Sequence, residues 1–371
     1  MISPVTRLFH LSFALPCLIL AALQPGLPAL QAQTAPAADS LPSGPKPSDA
    51  PAEWKEFLGI YGTGKDAIII LERARKLYLS DEKNTRPPLL LGSDSSRKNS
   101  VDSIQLNDCF SIRRGDDRKT PYLLSCLNSS QPLPRTDAGS DPAHFYHVTP
   151  AVPVAELREK ALKLSPPAES GPFRKPDLTE LYTLNDMIHL DIRYATSDNF
   201  LSTPVYTQAR AFLQLPASVA LRNVLEKLAP LGYGLLIYDA YRPWYVTKIF
   251  WDATPKADRM FVADPQKGSK HNRGCAVDLT LYDLSTGQPV EMPGLYDEMS
   301  PRSFPNFPGG TSLQRWHRDL LRRAMESEGF TVNQDEWWHF DYKDWKKYPI
   351  LNIPFEKIPL PQPIFDKHAA Q

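Results

Sequence analysis

The chain has 371 residues, 42% of them hydrophobic, so it is long enough for two domains or for one domain with additions. Its 42 lysine and arginine residues balance its 42 aspartate and glutamate residues, and a net charge of zero argues against a general binder of nucleic acid or of anionic membranes. The 37 prolines are about twice the usual share; they cluster near the start, around 150–176 and near the end, where they indicate linkers and tails.

Residues 1–32 have the pattern of a secretory signal peptide. Arg7 supplies a positive charge, residues 11–23 form an apolar run too short to span a membrane comfortably, and Ala32 is a small residue at a suitable cleavage position. We therefore expect an exported protein, periplasmic or extracellular, with no stable membrane insertion after cleavage. Cys17 leaves a lipoprotein as an alternative, although the residues before it form a poor lipidation motif.

Residues 33–52, rich in Ala, Pro and Ser, predict a flexible linker. The next region, 53–150, predicts a small all-β accessory domain without a visible catalytic set. Short apolar runs alternate there with polar turns and predict four strands, at 67–71, 76–79, 109–112 and 121–124. Its opening loosely resembles small β-barrel modules appended to some exported hydrolases, so we expect a barrel-like fold whose partner is unknown.

Three cysteines remain after removal of the signal peptide. Cys109 and Cys126 each lie on a predicted strand with a polar turn between them, and in an oxidising compartment they could pair across a hairpin. We interpret Cys275 as a small buried thiol.

Residues 151–176 contain a short helical stretch followed by prolines and predict a second linker. The second domain spans 177–354, and residues 355–371 are expected to form an unpacked tail. Apolar residues at helical spacing predict helices at 216–229 and 312–328, and apolar runs predict strands at 181–193, 235–238 and 338–342. Because helices and strands do not alternate strictly, an α+β fold is favoured over a doubly wound sheet.

Two short motifs in this second domain carry chemistry. The first, Ser-x-His-x-x-Gly-x-Ala-x-Asp at 269–278, places His271 and Asp278 seven residues apart and continues into a strand-like run. The second, Glu-Trp-Trp-His-Phe at 336–340, supplies His339. Two histidines and an aspartate form a zinc ligand set that leaves one position open for water. Glu336, three residues before His339, stands where a general base is needed.

Either motif alone is weak, but their order resembles the D-alanyl-D-alanine dipeptidase family of zinc peptidases. The resemblance extends over about 180–354 and includes Arg-Tyr-Ala-Thr-Ser-Asp-Asn-Phe at 193–200 and Gly-Leu-Leu-Ile-Tyr-Asp-Ala-Tyr-Arg-Pro at 234–243. It implies a small antiparallel sheet flanked by helices. It also implies one Zn²⁺ per chain, held by His271, Asp278 and His339, and hydrolysis of a small D,D-dipeptide related to the cell wall.

The resemblance also implies roles for other side chains. Glu336 would take the water proton, and Arg242 would stabilise the oxyanion, its alternative being a structural salt bridge after a strand. Asp297, nineteen residues after Asp278, would anchor the substrate ammonium, and Ser269 and Tyr194 would line the pocket. The chain departs from the family at Lys270 and Cys275, where the family often has serine.

Two other functions are open on the sequence. One is a D-Ala-D-Ala carboxypeptidase or peptidoglycan endopeptidase of the same superfamily, which needs an open cleft and no ammonium anchor, so Asp297 discriminates against it. The other is a non-catalytic wall-binding module on a degenerate peptidase fold, which the complete ligand set and Glu336 disfavour.

Overall fold

The fold is known from a computed structural model that describes residues 41, 44–64, 67–81, 89–93, 97–100, 103–105, 110–114, 122–126, 131–137 and 147–360. The predicted signal peptide, most of the linker at 33–52, Cys109 with its predicted disulfide, and the tail beyond 360 lie outside these residues. The described residues belong to one compact unit. In the described part, every helix is too short or too polar to cross a membrane.

The N-terminal β region consists of two antiparallel sheets preceded by the short helix α1 (Ala52–Lys55). The first sheet contains β1 (Gly59–Tyr61), β2 (Ile68–Arg73), β3 (Lys76–Asp81) and β4 (Leu89–Ser93). The second contains β5 (Arg97–Ser100), β6 (Ser103–Gln105), β7 (Phe110–Arg114), β8 (Tyr122–Cys126) and β9 (Leu133–Pro134). The four strands predicted from the sequence correspond to β2, β3, β7 and β8. Closure into a barrel stays a prediction.

The C-terminal region is a mixture of helices and short strands. In chain order its elements are α2 (Val154–Ala161), β10 (Leu178–Glu180), β11 (Ile188–Leu190), β12 (Phe212–Gln214), α3 (Leu215–Leu228), β13 (Tyr233–Asp239), α4 (Trp244–Ala253), β14 (Ala276–Asp283), α5 (Ser312–Ser327), β15 (Phe330–Val332) and β16 (His339–Tyr342). The main sheet has the order β11-β13-β14-β16-β15, with β11 parallel to β13 and every other pair antiparallel. Strands β10 and β12 form a separate antiparallel pair.

The two long helices follow the sequence pattern that predicted them. Helix α3 buries Leu221, Val224, Leu225 and Leu228 on one face, and Gly232 with φ of 88° ends the turn that follows it. Helix α5 begins with a capping box in which the Thr311 hydroxyl accepts from the backbone of Gln314 and the Gln314 side chain accepts from the backbone of Thr311. Both helices pack on the main sheet, α3 against β13 and α5 against β14 and β15.

The strand predicted at 181–193 is mostly wrong. These residues contain a 3-10 helix at Leu181–Thr183, the three-residue strand β11, and the start of a second 3-10 helix at Arg193–Ala195. The side chain of Asn185 accepts from the backbone N–H of Met187, and its carbonyl accepts from Ile188. This local turn supplies an alternative to strand pairing and limits β11 to three residues.

The short helical stretch predicted in 151–176 is confirmed as helix α2, but the segment that contains it was expected to be a linker. This helix packs against α4 and buries Val154, Leu157 and Ala161 in the core of the C-terminal region. Arg158 of α2 also donates a hydrogen bond to the carbonyl of Val205. The first part of this segment therefore belongs to the folded C-terminal region, although its proline content suggested a linker.

The tail expected from 355 onwards is also corrected by the structure. Phe355 is only 2% exposed and packs against the rings of Tyr206, Phe212 and Tyr241. Arg210 donates to the carbonyls of Phe355, Ile358 and Pro359, at 3.0, 3.0 and 3.1 Å. The folded region thus continues past Pro354.

Replacing Phe355 by alanine tests this docking. Removal of a buried phenylalanine ring leaves a cavity, and we expect Phe355→Ala to lower the free energy of unfolding by about 3–5 kcal/mol. Urea denaturation followed by tryptophan fluorescence measures the change. Leu360→Ala is the matched control, because Leu360 is 73% exposed and its truncation should change stability little. Equal stability of the two variants would mean that the segment is a loose tail.

Candidate metal and catalytic site

His271, Asp278 and His339 lie together in the fold. Asp278 is in strand β14, His339 is in strand β16, and His271 is in the turn that leads into β14. Asp278 in β14 pairs directly with His339, the first residue of β16, so their side chains lie on the same face of the sheet. His271 begins a 3-10 turn at His271–Arg273 that ends at Gly274 and leads into β14. The predicted zinc ligands are therefore adjacent although 61 residues separate Asp278 from His339 in the sequence.

Gly274 is needed between the two ligands of the first motif. Its φ is 66°, a left-handed conformation that only glycine adopts at little cost. An added Cβ would also meet Leu178 Cδ2 at 2.6 Å and Gln214 Nε2 at 3.1 Å. A larger residue here would displace the turn that carries His271.

The ligand atoms of the three residues converge on one point. His339 Nδ1 lies 2.9 Å from Asp278 Oδ1 and 3.1 Å from His271 Nε2, and the distance from His271 Nε2 to Asp278 Oδ1 is 3.4 Å. All three side chains are buried. Among the described residues, Asp278 Oδ1 accepts no hydrogen bond of acceptable geometry. A buried carboxylate oxygen and two imidazole nitrogens that face one another form a donor set that fits a divalent metal ion.

The outer ring nitrogens of both histidines are held by acceptors. His271 Nδ1 lies 2.6 Å from the carbonyl oxygen of Ala240, and His339 Nε2 lies 2.9 Å from Asp341 Oδ1. Asp341 is in turn paired with Lys270, whose Nζ is 3.1 Å from Asp341 Oδ2. Such partners place the proton on the outer nitrogen and leave the inner nitrogen available as a ligand.

Charges within the cluster shift the pKa values of its members. Burial alone would raise the pKa of Asp278, but the two histidines outweigh it and hold that pKa well below its ordinary value. Burial opposes a charge on His339, yet Asp278 and Asp341 raise its pKa to about 10. Protonation of His339 therefore competes with metal binding at its inner nitrogen.

Glu336 lies beside the cluster and is not one of its three convergent members. Its Oε2 is 3.7 Å from His339 Nδ1 and accepts a hydrogen bond of 2.9 Å from Asn333 Nδ2. Its side chain remains 34% exposed, and partial burial raises its pKa. The loop is fixed by Trp337, which is buried and donates from its backbone N–H to the carbonyl of Ser303 at 2.8 Å. Glu336 is thus close enough to exchange a proton with a group bound at the cluster.

Arg242 is buried next to the cluster and is held by Asp239. Its Nε and Nη2 donate to Asp239 Oδ2 at 3.0 and 2.7 Å, and its guanidinium lies 5.3 Å from the ring centre of Tyr194. Burial opposes the charge, but Asp239 prevails and raises the pKa of Arg242. The backbone N–H of Arg242 donates to the carbonyl of His271 at 3.1 Å. Arg242 therefore makes a structural salt bridge and also lies beside the ligands.

Asp239 is a residue of the site that the sequence reasoning missed. Besides Arg242, it accepts from the Tyr206 hydroxyl at 2.6 Å, and it pairs with Asp278 across β13 and β14. It lies within the stretch 234–243 that carries the family resemblance, three residues before Arg242. That spacing, at the end of a buried strand, was the signal by which it could have been found.

Tyr194 and Asp297 meet on the same side of the site. The Tyr194 hydroxyl donates to Asp297 Oδ2 at 2.8 Å. Burial, followed by the negative charge of Asp278, raises the pKa of Asp297 to about 8. The neighbouring Tyr296 was not predicted as a site residue from the sequence. Its hydroxyl donates to Asp278 Oδ2 at 3.3 Å. Asp297 is therefore a buried carboxyl group near the cluster, and the negative charge of Asp278 acts on it more strongly than the positive charge of Arg242.

The remaining predicted positions have structural contacts. Ser269 Oγ accepts from the backbone N–H of His271 at 3.2 Å, which stabilises the ligand turn; its role in lining the pocket stays a prediction. Lys270 is directed at Asp341 and lies 5.6 Å from the ring centre of Trp345. Cys275 is free and buried, which confirms its interpretation as a small buried thiol, and burial raises the pKa of that thiol to about 12.

A cavity of about 460 Å³ lies between the N-terminal β region and the segment 289–311. Its lining includes Tyr296, Trp337, Arg302 and Asp137, but none of His271, Asp278 and His339. Tyr296 connects this cavity with the ligand cluster, because it lines the cavity and its hydroxyl lies 3.3 Å from Asp278 Oδ2.

Comparisons with known proteins point to one family. A peptidase M15 family model described as D-ala-D-ala dipeptidase matches residues 175–360. A D-alanyl-D-alanine dipeptidase of Escherichia coli (strain K12) is 35% identical over 179 residues, which cover 48% of this chain and 91% of the relative. Relatives of the same name from Enterococcus faecalis and Enterococcus faecium are 36% and 35% identical. In both comparisons the match covers 46% of this chain and 95% of the relative.

The raised pKa of Asp297 predicts a pH-dependent loss of stability when no divalent metal is bound. The pKa of Asp297 rises from an ordinary 3.8 to about 8 on folding, so the folded chain keeps a proton that the unfolded chain releases. Between these two values the stability of the wild type should fall as pH rises. Asparagine cannot ionise, so the stability of Asp297→Asn relative to the wild type should increase across this window.

Thermal unfolding of EDTA-treated wild type and Asp297→Asn, at several pH values between about 4 and 8, measures this difference. Asp335→Asn, which changes an exposed carboxylate, is the control. A difference between Asp297→Asn and the wild type that stays constant with pH would contradict the raised pKa.

Proposed function

Because the chain belongs to the D-ala-D-ala dipeptidase family of peptidases, we propose that it hydrolyses free D-alanyl-D-alanine with one zinc ion per chain. The observation that carries this proposal is the convergence of His271, Asp278 and His339, whose ligand atoms lie within 4.8 Å of one another in a buried site. Two histidines and a carboxylate are a usual ligand set for catalytic zinc, and three protein ligands leave a position open.

The chain supplies the other groups that amide hydrolysis requires. A bound zinc ion would lower the pKa of a water molecule to roughly 7 and polarise the scissile carbonyl. Glu336 would accept the proton of the attacking water and return it to the leaving amine, a role favoured by its raised pKa. Arg242, oriented by Asp239, would donate hydrogen bonds to the oxyanion that develops on the carbonyl oxygen.

Asp297 gives the site its preference for a free dipeptide. A buried carboxylate with a raised pKa gains strongly from a cationic partner, and the ammonium group of a free dipeptide is such a partner. Tyr194 fixes the orientation of the Asp297 carboxylate through its hydroxyl. An acylated amino terminus, as in an intact peptidoglycan stem, has no ammonium to offer. The dipeptide is therefore favoured over longer chains.

Export of the enzyme is part of the proposal. The signal-peptide pattern of residues 1–32 supports a location in the periplasm or outside the cell. The substrate would then be a cell-wall-related D,D-dipeptide in that compartment.

Metal binding and catalysis should separate in two variants. The double variant His271→Ala, His339→Ala should lose the zinc, because it retains one of three ligands. Glu336→Gln should keep about one zinc per chain but lower kcat by roughly 10²–10⁴, because it keeps the shape and removes the base. Metal analysis by mass spectrometry and dipeptide cleavage measure the two effects, with Glu326→Gln on α5 as the matched control. Full zinc occupancy in the double variant would refute the ligand assignment.

Replacing Asp297 should discriminate between free and acylated substrates. Asp297→Ala removes the partner of the substrate ammonium, so cleavage of free D-Ala-D-Ala should fall severely. N-acetyl-D-Ala-D-Ala has no ammonium, and its slow cleavage should change little. The ratio of the two kcat/KM values is the measured quantity. A wild type that prefers the acetylated substrate would favour the carboxypeptidase function instead.

A further inference from the structure

The loop that carries Asp297 is folded around one buried arginine, Arg302. Arg302 Nε donates to the carbonyl of Pro293 at 2.9 Å and lies 3.5 Å from Glu298 Oε1. Glu298 in turn accepts from the backbone N–H of Leu295 at 2.8 Å. The contacts of Arg302 thus reach the backbone before Asp297 and the side chain directly after it.

The conformation of Asp297 requires such support. Its φ is 55°, which is left-handed and unfavourable for a residue other than glycine. Gly294, three residues earlier, packs directly on the backbone of Arg302, because an added Cβ would meet the carbonyl oxygen of Arg302 at 2.5 Å. The loop is therefore a closed, tightly packed structure in which Asp297 takes a strained position beside the site.

Arg302 is held from the other side by the N-terminal β region. Its Nη1 lies 3.3 Å from Asp137 Oδ2, and Asp137 Oδ1 accepts from Arg135 Nε at 2.7 Å. Arg135 donates further to the carbonyls of Glu56 and Leu58, at 2.7 and 2.6 Å, where α1 leads into β1. The side chains of Arg135, Asp137 and Arg302 are 7%, 1% and 10% exposed, so salt screens these contacts little. A continuous series of buried contacts connects β1 with the Asp297 loop.

We propose that Asp137 is a positioning residue for the substrate-binding loop: through Arg302 it holds Asp297 in the orientation that binds the substrate ammonium. The N-terminal β region then takes part in substrate recognition and is not a separable accessory. This inference rests on the proposed function, since it takes Asp297 as the ammonium anchor.

The Escherichia coli relative in the comparison lacks the region that supplies Asp137 in this chain. The match with the Escherichia coli dipeptidase covers 91% of that relative, and the family model begins at residue 175. The unmatched remainder of the relative is too short for a counterpart of residues 53–150. Asp137 is therefore a feature of this chain that the family match does not supply.

A second contact between the two regions serves as an internal control. Glu72 in β2 is buried and accepts from the backbone N–H of Ser312 at 2.6 Å, at the start of α5. Arg315 of α5 donates to the carbonyl of Glu72 at 2.6 Å. This contact joins the same two regions through a buried carboxylate, but it does not reach the loop 293–303.

The test is the kinetics of Asp137→Ala in the full chain, with zinc content measured alongside. Asp297 holds the ammonium in both the ground state and the transition state, so its displacement should raise KM and leave kcat nearly unchanged. We expect KM for free D-Ala-D-Ala to rise roughly tenfold, with cleavage of N-acetyl-D-Ala-D-Ala and zinc content unaffected. Glu72→Gln should change kcat/KM for the free and the acetylated dipeptide by the same factor.

A double-mutant cycle separates positioning from general stability. If Asp137 acts through Asp297, adding Asp137→Ala to Asp297→Ala should change KM for the free dipeptide less than about twofold. Fully multiplicative effects of the two substitutions would overturn the proposal. If Asp137→Ala does not fold, Asp137→Asn, which keeps the volume and removes the charge, replaces it in the same cycle.

Failure of this inference is distinguishable from failure of the proposed function. If Asp297→Ala leaves the ratio of free to acetylated cleavage unchanged, the ammonium anchor itself is wrong. If Asp297→Ala changes that ratio while a folded, zinc-containing Asp137→Ala does not, only the positioning role of Asp137 is wrong.

Discussion

The carboxylate of Asp278, buried between two histidines, is the interaction on which the site depends. It lies in the central strand β14, opposite His339 on one side and Asp239 on the other. Register therefore fixes three functional side chains at once, because a shift of one residue would turn Asp278 to the other face of the sheet. Asp239 is paired with Arg242, whereas Asp278 lies near two further carboxyl groups, Glu336 and Asp297, whose pKa values are raised. A divalent cation bound at Asp278 would favour the ionised form of both groups.

Much of the site could be predicted from the sequence because its motifs are local. The ligands of the first motif are separated by a turn and the start of one strand, and Gly274 between them has a conformational reason. The partnership of Asp278 with His339 depends on strand register, which the sequence does not encode locally, so family resemblance supplied it. Asp239 was missed although it lies at a strand end three residues before Arg242, because that spacing does not by itself identify its partners. Asp239 is identified as a site residue by the hydrogen bonds that it accepts from Arg242 and Tyr206, which the fold places beside it.

The errors in the fold have a common physical origin. Proline content suggested a linker at 151–176 and a tail after 354, but burial depends on the partner surface, and that surface could not be seen in the sequence. Helix α2 finds its partner in α4, and Phe355 finds a pocket of aromatic rings. The same limit applies to Asp137 and Arg302, which lie 165 residues apart as two ordinary charged residues. Such a buried pair adds little to stability once desolvation is counted, but replacing Asp137 removes one of the buried carboxylates that hold Arg302.

The cost of Asp297 to the fold is consistent with a role in binding. Its backbone is left-handed, and its carboxylate is buried near other negative charges; both features lower the stability of the folded chain and are retained where function requires them. A cationic ligand lowers the electrostatic cost of ionising Asp297. The left-handed backbone of Asp297 has to be stabilised by contacts within the protein. Arg302 and Glu298 hold the loop from within, and Asp137 holds Arg302 from the N-terminal region. The fold therefore keeps in place a carboxyl group whose ionised form would become favourable if a cationic group, such as the proposed substrate ammonium, bound beside it.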